Sequence, residues 1–119
     1  MQATEIAALA EQALQDLKAQ NIQRLDVRAL TDVADFLIIA SGTSNRQVKA
    51  LAENVQLKAK QAGLTAIGVE GADTAEWILV DLTDVVVHVM QPATREFYDL
   101  ERLWSVSPAS APAADEKNL

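Results

Sequence analysis

Directly after Asp35 the chain reads Phe36-Leu37-Ile38-Ile39-Ala40, an apolar run without a polar interruption. Such a run reads as a strand buried on both faces, which places it inside a sheet. It leads straight into Ser41-Gly42-Thr43-Ser44-Asn45-Arg46-Gln47, where Ser44 and Gln47 have the spacing of a helix N-cap and its reciprocal partner. The helix that starts there is expected to run to about Ala62, with Val48, Leu51, Ala52 and Val55 as its apolar stripe. Gly63 is the left-handed residue expected just beyond its end, and the chain then returns as a strand from Thr65 to Glu70.

Upstream, Ile6, Leu9, Ala10, Ala13, Leu14 and Leu17 recur at helical spacing, which predicts an amphipathic helix ending near Gln20 and Asn21. Leu25 and Val27 mark a strand. Downstream, Gly71-Ala72-Asp73-Thr74 is a turn, and the stretches Glu76–Asp81 and Val85–Met90, joined by Leu82-Thr83-Asp84, predict an antiparallel hairpin. Pro92 and Thr94 announce a last helix carrying Phe97, Leu100, Leu103 and Trp104 on one side. The order α-β-β-α-β-β-β-α gives an α/β fold: a mixed sheet of about five strands with three helices, in a single domain over residues 1–104. Three helices are few for two sheet faces, so one face is expected to stay partly open. The period of two puts Ile78 and Val80 with Val85, Val87 and Val89 on a core face, and Trp77, Leu79 and Asp81 with Val86, His88 and Met90 on the other.

With 119 residues and half of them apolar, the chain suffices for one domain with a real core. Residues 105–119, rich in Ser, Ala and Pro without periodicity, read as a disordered C-terminal tail. There is no cysteine, which excludes disulfides, thiolate nucleophiles and zinc–thiolate sites. The first residues carry no export or import signal and no apolar run is long enough to span a bilayer, so a cytoplasmic protein without a membrane role is expected. Seventeen acids against ten bases give a net charge of −7, which argues against direct nucleic-acid binding. Between Lys60 and Arg95 there is no Lys or Arg, but Glu70, Asp73, Glu76, Asp81 and Asp84 all fall there. That interval is either a solvated acidic face or a docking surface for a basic partner.

Gly42-Thr43-Ser44, between strand and helix, has the place of a phosphate-binding turn but lacks the P-loop lysine and the dinucleotide glycines, so ordinary capping is the better account. Nucleotidyltransferases carry a similar turn, and their chemistry needs paired carboxylates on the following strand to hold magnesium; here that strand has the single acid Glu70. His88, the one histidine, makes neither a triad nor a metal cage by itself, and Asp81 across the hairpin is expected to hydrogen-bond it, in a structural role at least as readily as a catalytic one. Trp77 fits a packed core residue by base rates and a contact hot spot by its place on the less apolar face among acids. Tyr98, Leu100 and Trp104 read as packing residues.

The blocks Asp35–Val48, Glu70-Gly71, Glu76–Asp81, Val85–His88 and Arg95–Trp104 together resemble the Iojap family of ribosomal silencing factors, in order and spacing, over nearly everything before Ser105. The resemblance implies a nucleotidyltransferase-like α/β fold without catalytic carboxylates, hence no enzyme, no cofactor and no metal. It implies a homodimer when free, which binds the large ribosomal subunit through ribosomal protein fourteen. There it blocks joining with the small subunit under nutrient limitation or in stationary phase. The family's contact surface lies on the sheet and includes positions matching Trp77 and Asp81; with Glu70, Glu76 and His88 these form the expected partner-binding set. The competing expectation is a vestigial nucleotide-binding enzyme of the nucleotidyltransferase kind.

Overall fold

The computed structural model describes residues 1–104; the expected tail, 105–119, lies outside the described residues. The apolar run forms β2 (Phe36–Ser41), every residue of it buried. It lies beside β5 (Val85–Met90), which is buried throughout as well, and the two pair in parallel with Phe36 opposite Val85 and Ser41 opposite Met90. Around this centre the sheet is completed by β1 (Gln20–Asp26), β4 (Trp77–Asp81) and β3 (Gly68–Glu70), in the order β1-β2-β5-β4-β3 with all other pairings antiparallel. The expected β4–β5 hairpin is present, with Ile78 opposite Val89 and Val80 opposite Val87.

One face is shut by α1 (Ala3–Asp16) and α2 (Asn45–Gln61). Ala7, Ala10 and Ala13 are fully buried, and their small side chains let α1 settle close against the sheet and α2. Val48, Leu51, Ala52 and Val55 supply the α2 stripe as the spacing predicts, and they pack with Ile38, Ile78, Val80, Val85, Val87 and Val89. Polar side chains fasten the helices to each other: Asn54 donates to the Ala13 carbonyl at 2.7 Å, and the Gln47 amide reaches the Leu17 and Lys18 carbonyls. Gly42 sits where β2 meets α2, and a Cβ there would be 3.0 Å from Val48 Cγ2 and 3.1 Å from the Val48 amide nitrogen. The residue therefore has to be small for strand and helix to approach.

Three boundaries differ from expectation. The first helix ends at Asp16, because Lys18 turns left-handed at φ 63 and Ala19 donates back to the Leu14 carbonyl; Leu17 is left 40% exposed. The third strand spans Gly68–Glu70 only, since pairing with β4 begins at Gly68. The last helix is two helices, α3 (Pro92–Tyr98) and α4 (Leu100–Trp104), making four where three were expected. Asp99, at φ 50 and ψ 52, breaks the run and re-aims the chain. In consequence Phe97 and Leu103 face solvent, while Leu100 and Trp104 turn onto the second sheet face.

Candidate docking face

The second face is ordered by the strand registers. One row reads Trp77, Met90 and Ser41; a second reads Glu70, Leu79, His88, Ile39 and Gln23; a third reads Gly68, Asp81, Val86, Leu37 and Leu25. Ile39, Met90 and Val27 are buried there with Leu37 and Val86, forming a second, smaller apolar cluster. Its cover is partial. Residues 27–34 close it from the β1 side and α4 from above, leaving a cleft of about 270 Å³ between them, lined by Leu79, Asp81, Val86, His88, Leu100 and Trp104 among others. The face expected to stay partly open does so at this cleft and at its aromatic margin.

That margin is Trp77. Its indole is half-buried, its centroid 4.8 Å from that of Tyr98, and Phe97 lies 5.0 Å from Tyr98, edge to face. Tyr98 is 53% exposed and Phe97 80%, so the expected packing role of Tyr98 is replaced by a place in an exposed aromatic group. Gly71 fixes the Trp77 backbone from beneath: at φ +91, a Cβ on it would stand 1.9 Å from the Trp77 carbonyl oxygen. Only glycine fits there.

His88 corrects an expectation. Its partner is not Asp81, which stands opposite Val86, but Trp77, whose Nε1–H donates to His88 Nδ1 at 2.9 Å. The ring is 7% exposed, and burial pushes its pKa down to about 4, so it is neutral at pH 7. Asp81 is half-buried at the cleft and accepts the Thr83 amide at 2.8 Å, which shapes the β4–β5 connection. Glu70 is exposed beside Leu79 in the same row as His88. Glu76 is exposed too, but it precedes β4 on the alternation opposite to Trp77 and does not share its face. Of the expected set, then, the fold gathers Trp77, His88, Asp81 and Glu70 on one face and leaves Glu76 at its border.

A residue pair with no signal of its own in the sequence holds the cover in place. Arg95 is buried, donating from Nη1 to Ser41 Oγ at 2.8 Å and through Nε and Nη2 to both Glu101 oxygens at 2.9 Å. Its guanidinium holds the Glu101 carboxyl below the usual carboxylate range. A six-residue separation is no helical pair, so the contact exists only because Asp99 folds α4 back.

The Gly42 turn has few amides to offer an anion. Gly42 N–H donates to the Met90 carbonyl, Thr43 N–H to Gln47 Oε1 at 2.7 Å, and Gln47 N–H to Ser44 Oγ at 3.1 Å. Ser44 caps the helix as expected, while the Gln47 side chain serves the Thr43 amide in place of the Ser44 amide. Among the described residues no three His, Asp or Glu side chains gather as a metal site, and no helix is long and apolar enough to cross a membrane.

A sheet closed by helices on one side, and on the other showing a cleft, an exposed aromatic group and acids, is the build of a macromolecule-binding module. The chain belongs to the family described as ribosomal silencing factor during starvation, whose model matches residues 1–119. A Chromobacterium violaceum protein named ribosomal silencing factor RsfS is 53% identical over 104 residues, covering 87% of this chain and 85% of its own. A crystal structure of a protein from the same organism superposes with a TM-score of 0.87 at 49% identity, covering 96% of this chain and 95% of its own. Further away, a mouse protein named mitochondrial assembly of ribosomal large subunit protein 1 is 32% identical over 96 residues, covering 78% of this chain and 42% of its own. The family is one of ribosome silencing factors and not of enzymes, so the role of this chain is a ribosome-associated silencing one.

Proposed function

We propose that the chain binds the large ribosomal subunit through ribosomal protein fourteen and, by occupying the surface that meets the small subunit, sterically blocks joining during nutrient limitation or stationary phase. The observation that carries this reading is Trp77: a half-exposed indole, flanked by Tyr98 and set on a face that also presents Asp81 and Glu70. A large ring that is fixed in place and bordered by charge has the composition of a contact hot spot. The chain carries no Lys or Arg between Lys60 and Arg95, so this region complements a basic protein and repels bare RNA. The mouse relative is named for the assembly of the mitochondrial ribosomal large subunit, which supports the large subunit as the partner. In this reading the protein is cytoplasmic and a homodimer when free, needs no cofactor or metal, and makes no sequence-specific nucleic-acid contact. Trp77, Asp81 and Glu70 contact the partner, Glu76 contributes charge at the border, and His88 acts from behind.

Purified protein should co-sediment with isolated large subunits and not with small ones, and should lower the yield of joined ribosomes when both are mixed. Equal binding to the two subunits refutes the proposal. Asp81→Asn keeps the acceptor for Thr83 but removes the charge; it should slow association and flatten the dependence of binding on salt.

A further inference from the structure

Trp77 and His88 are not opposite one another in the β4–β5 ladder, where Trp77 faces Met90 and Leu79 faces His88. They are diagonal neighbours on one face, a separation that long side chains still bridge. The bridge is the bond from indole Nε1–H to His88 Nδ1 at 2.9 Å, with the rings 5.8 Å apart and tilted by 45°. The imidazole is a firm anchor: it is 7% exposed and belongs to a strand held between β2 and β4. Tyr98 bounds the indole on another side at 4.8 Å, and Gly71 lies beneath the Trp77 carbonyl. With Nδ1 accepting, the neutral ring carries its proton on Nε2, so the tautomer is fixed as well.

We infer that His88 is a positioning residue for docking, which holds the Trp77 indole in one orientation through Nδ1 and takes up its only hydrogen-bond donor, leaving the ring to meet its partner through carbon and π-surface alone. The inference rests on the docking role proposed for Trp77. An indole released from His88 has to be ordered when the partner arrives, and that ordering lowers affinity. The buried N–H also selects what the partner presents. An acceptor reaching for the indole finds the donor engaged, whereas an aliphatic side chain, or an Arg or Lys cation placed over the ring, finds its full surface.

His88→Phe removes the acceptor while keeping a ring, and His88→Asn returns an acceptor, because Asn Oδ1 stands at the same bond distance from the backbone as Nδ1. Folded His88→Phe protein should bind large subunits about tenfold more weakly, the effect of one lost hydrogen bond, and His88→Asn should recover most of that. Nitrogen-15 NMR supplies a readout that general stability does not move. The Trp77 indole proton should be protected from solvent exchange in wild type and in His88→Asn, and exposed in His88→Phe. In wild type a nitrogen–nitrogen coupling across the bond should be measurable, which needs no variant to fold. An uncoupled, rapidly exchanging Trp77 indole in wild type overturns the inference, as does a folded His88→Phe that binds like wild type while Trp77→Ala does not bind. If Trp77→Ala itself binds normally, the docking reading fails, and the positioning role falls with it.

Discussion

In Trp77 the two roles that sequence alone sets against each other, packing and contact, fall on different edges of one ring. Part of it joins the apolar cluster of the second face, and the rest is in water beside Tyr98. Trp77→Ala should therefore weaken large-subunit binding by about 2 kcal/mol or more. Its effect on stability should be about 1–2 kcal/mol, short of the roughly 3–5 kcal/mol for a fully buried tryptophan. Melting curves beside co-sedimentation separate the two. His88 gives a pH signature. Its folded pKa of about 4 lies below the ordinary 6.5, so the unfolded chain binds the proton more readily. Stability is then complete above pH 6.5 and declines as the pH falls toward 4, by about 2 kcal/mol between pH 7 and 5 from this group. Urea unfolding at the two pH values should show that slope in wild type and a shallower one in His88→Phe. The strand alternation made the shared face of Trp77, Asp81 and His88 legible in the sequence. The bond between Trp77 and His88 is not, because strand alternation assigns faces and does not set diagonal register, and so leaves Asp81 and Trp77 as equal candidates for the imidazole's partner.

Among the elements, the apolar strands and the two long helices are legible from their apolar pattern, and the ends of α2 from Ser44 and Gly63, whereas the end of α1 is not, because Lys18 turns left-handed without a glycine to mark it. Nor is the break in the last helix. Asp99 adopts a left-handed conformation without glycine or proline to mark it, and Arg95 reads as one more surface base until α4 folds back and buries it. Arg95→Ala should cost about 2–3 kcal/mol, below the range for fully buried pairs because the Glu101 side chain remains 33% exposed. The loss should begin at α4. In a Trp77→Phe background, Trp104 emission should shift to the red before the sheet melts, and a single concerted transition would contradict this account.

For the molecule as a whole, the sequence placed five strands and the open face correctly, but it could not show how α4 and residues 27–34 narrow that face to a cleft. Residues 106–119 carry only two aliphatic side chains larger than alanine, Val106 and Leu119, and removing them should change neither melting temperature nor subunit binding appreciably. A large drop in either would assign the segment a part in the mechanism. The central pairing of β2 with β5 carries a further consequence, for the order of folding. Phe36 and Val85 are neighbours in the sheet, yet α2, β3 and β4 all lie between them along the chain. The seam at the middle must close a long loop before it gains any contacts, which makes it a late and slow event. The β4–β5 hairpin and the β1–β2 pair are local enough to form beforehand, but neither carries a finished docking surface. Until the seam closes, the strands that carry Trp77, Asp81, Glu70 and His88 lack the β2 residues Leu37 and Ile39 that back the cleft, so the proposed docking face is completed only at that step.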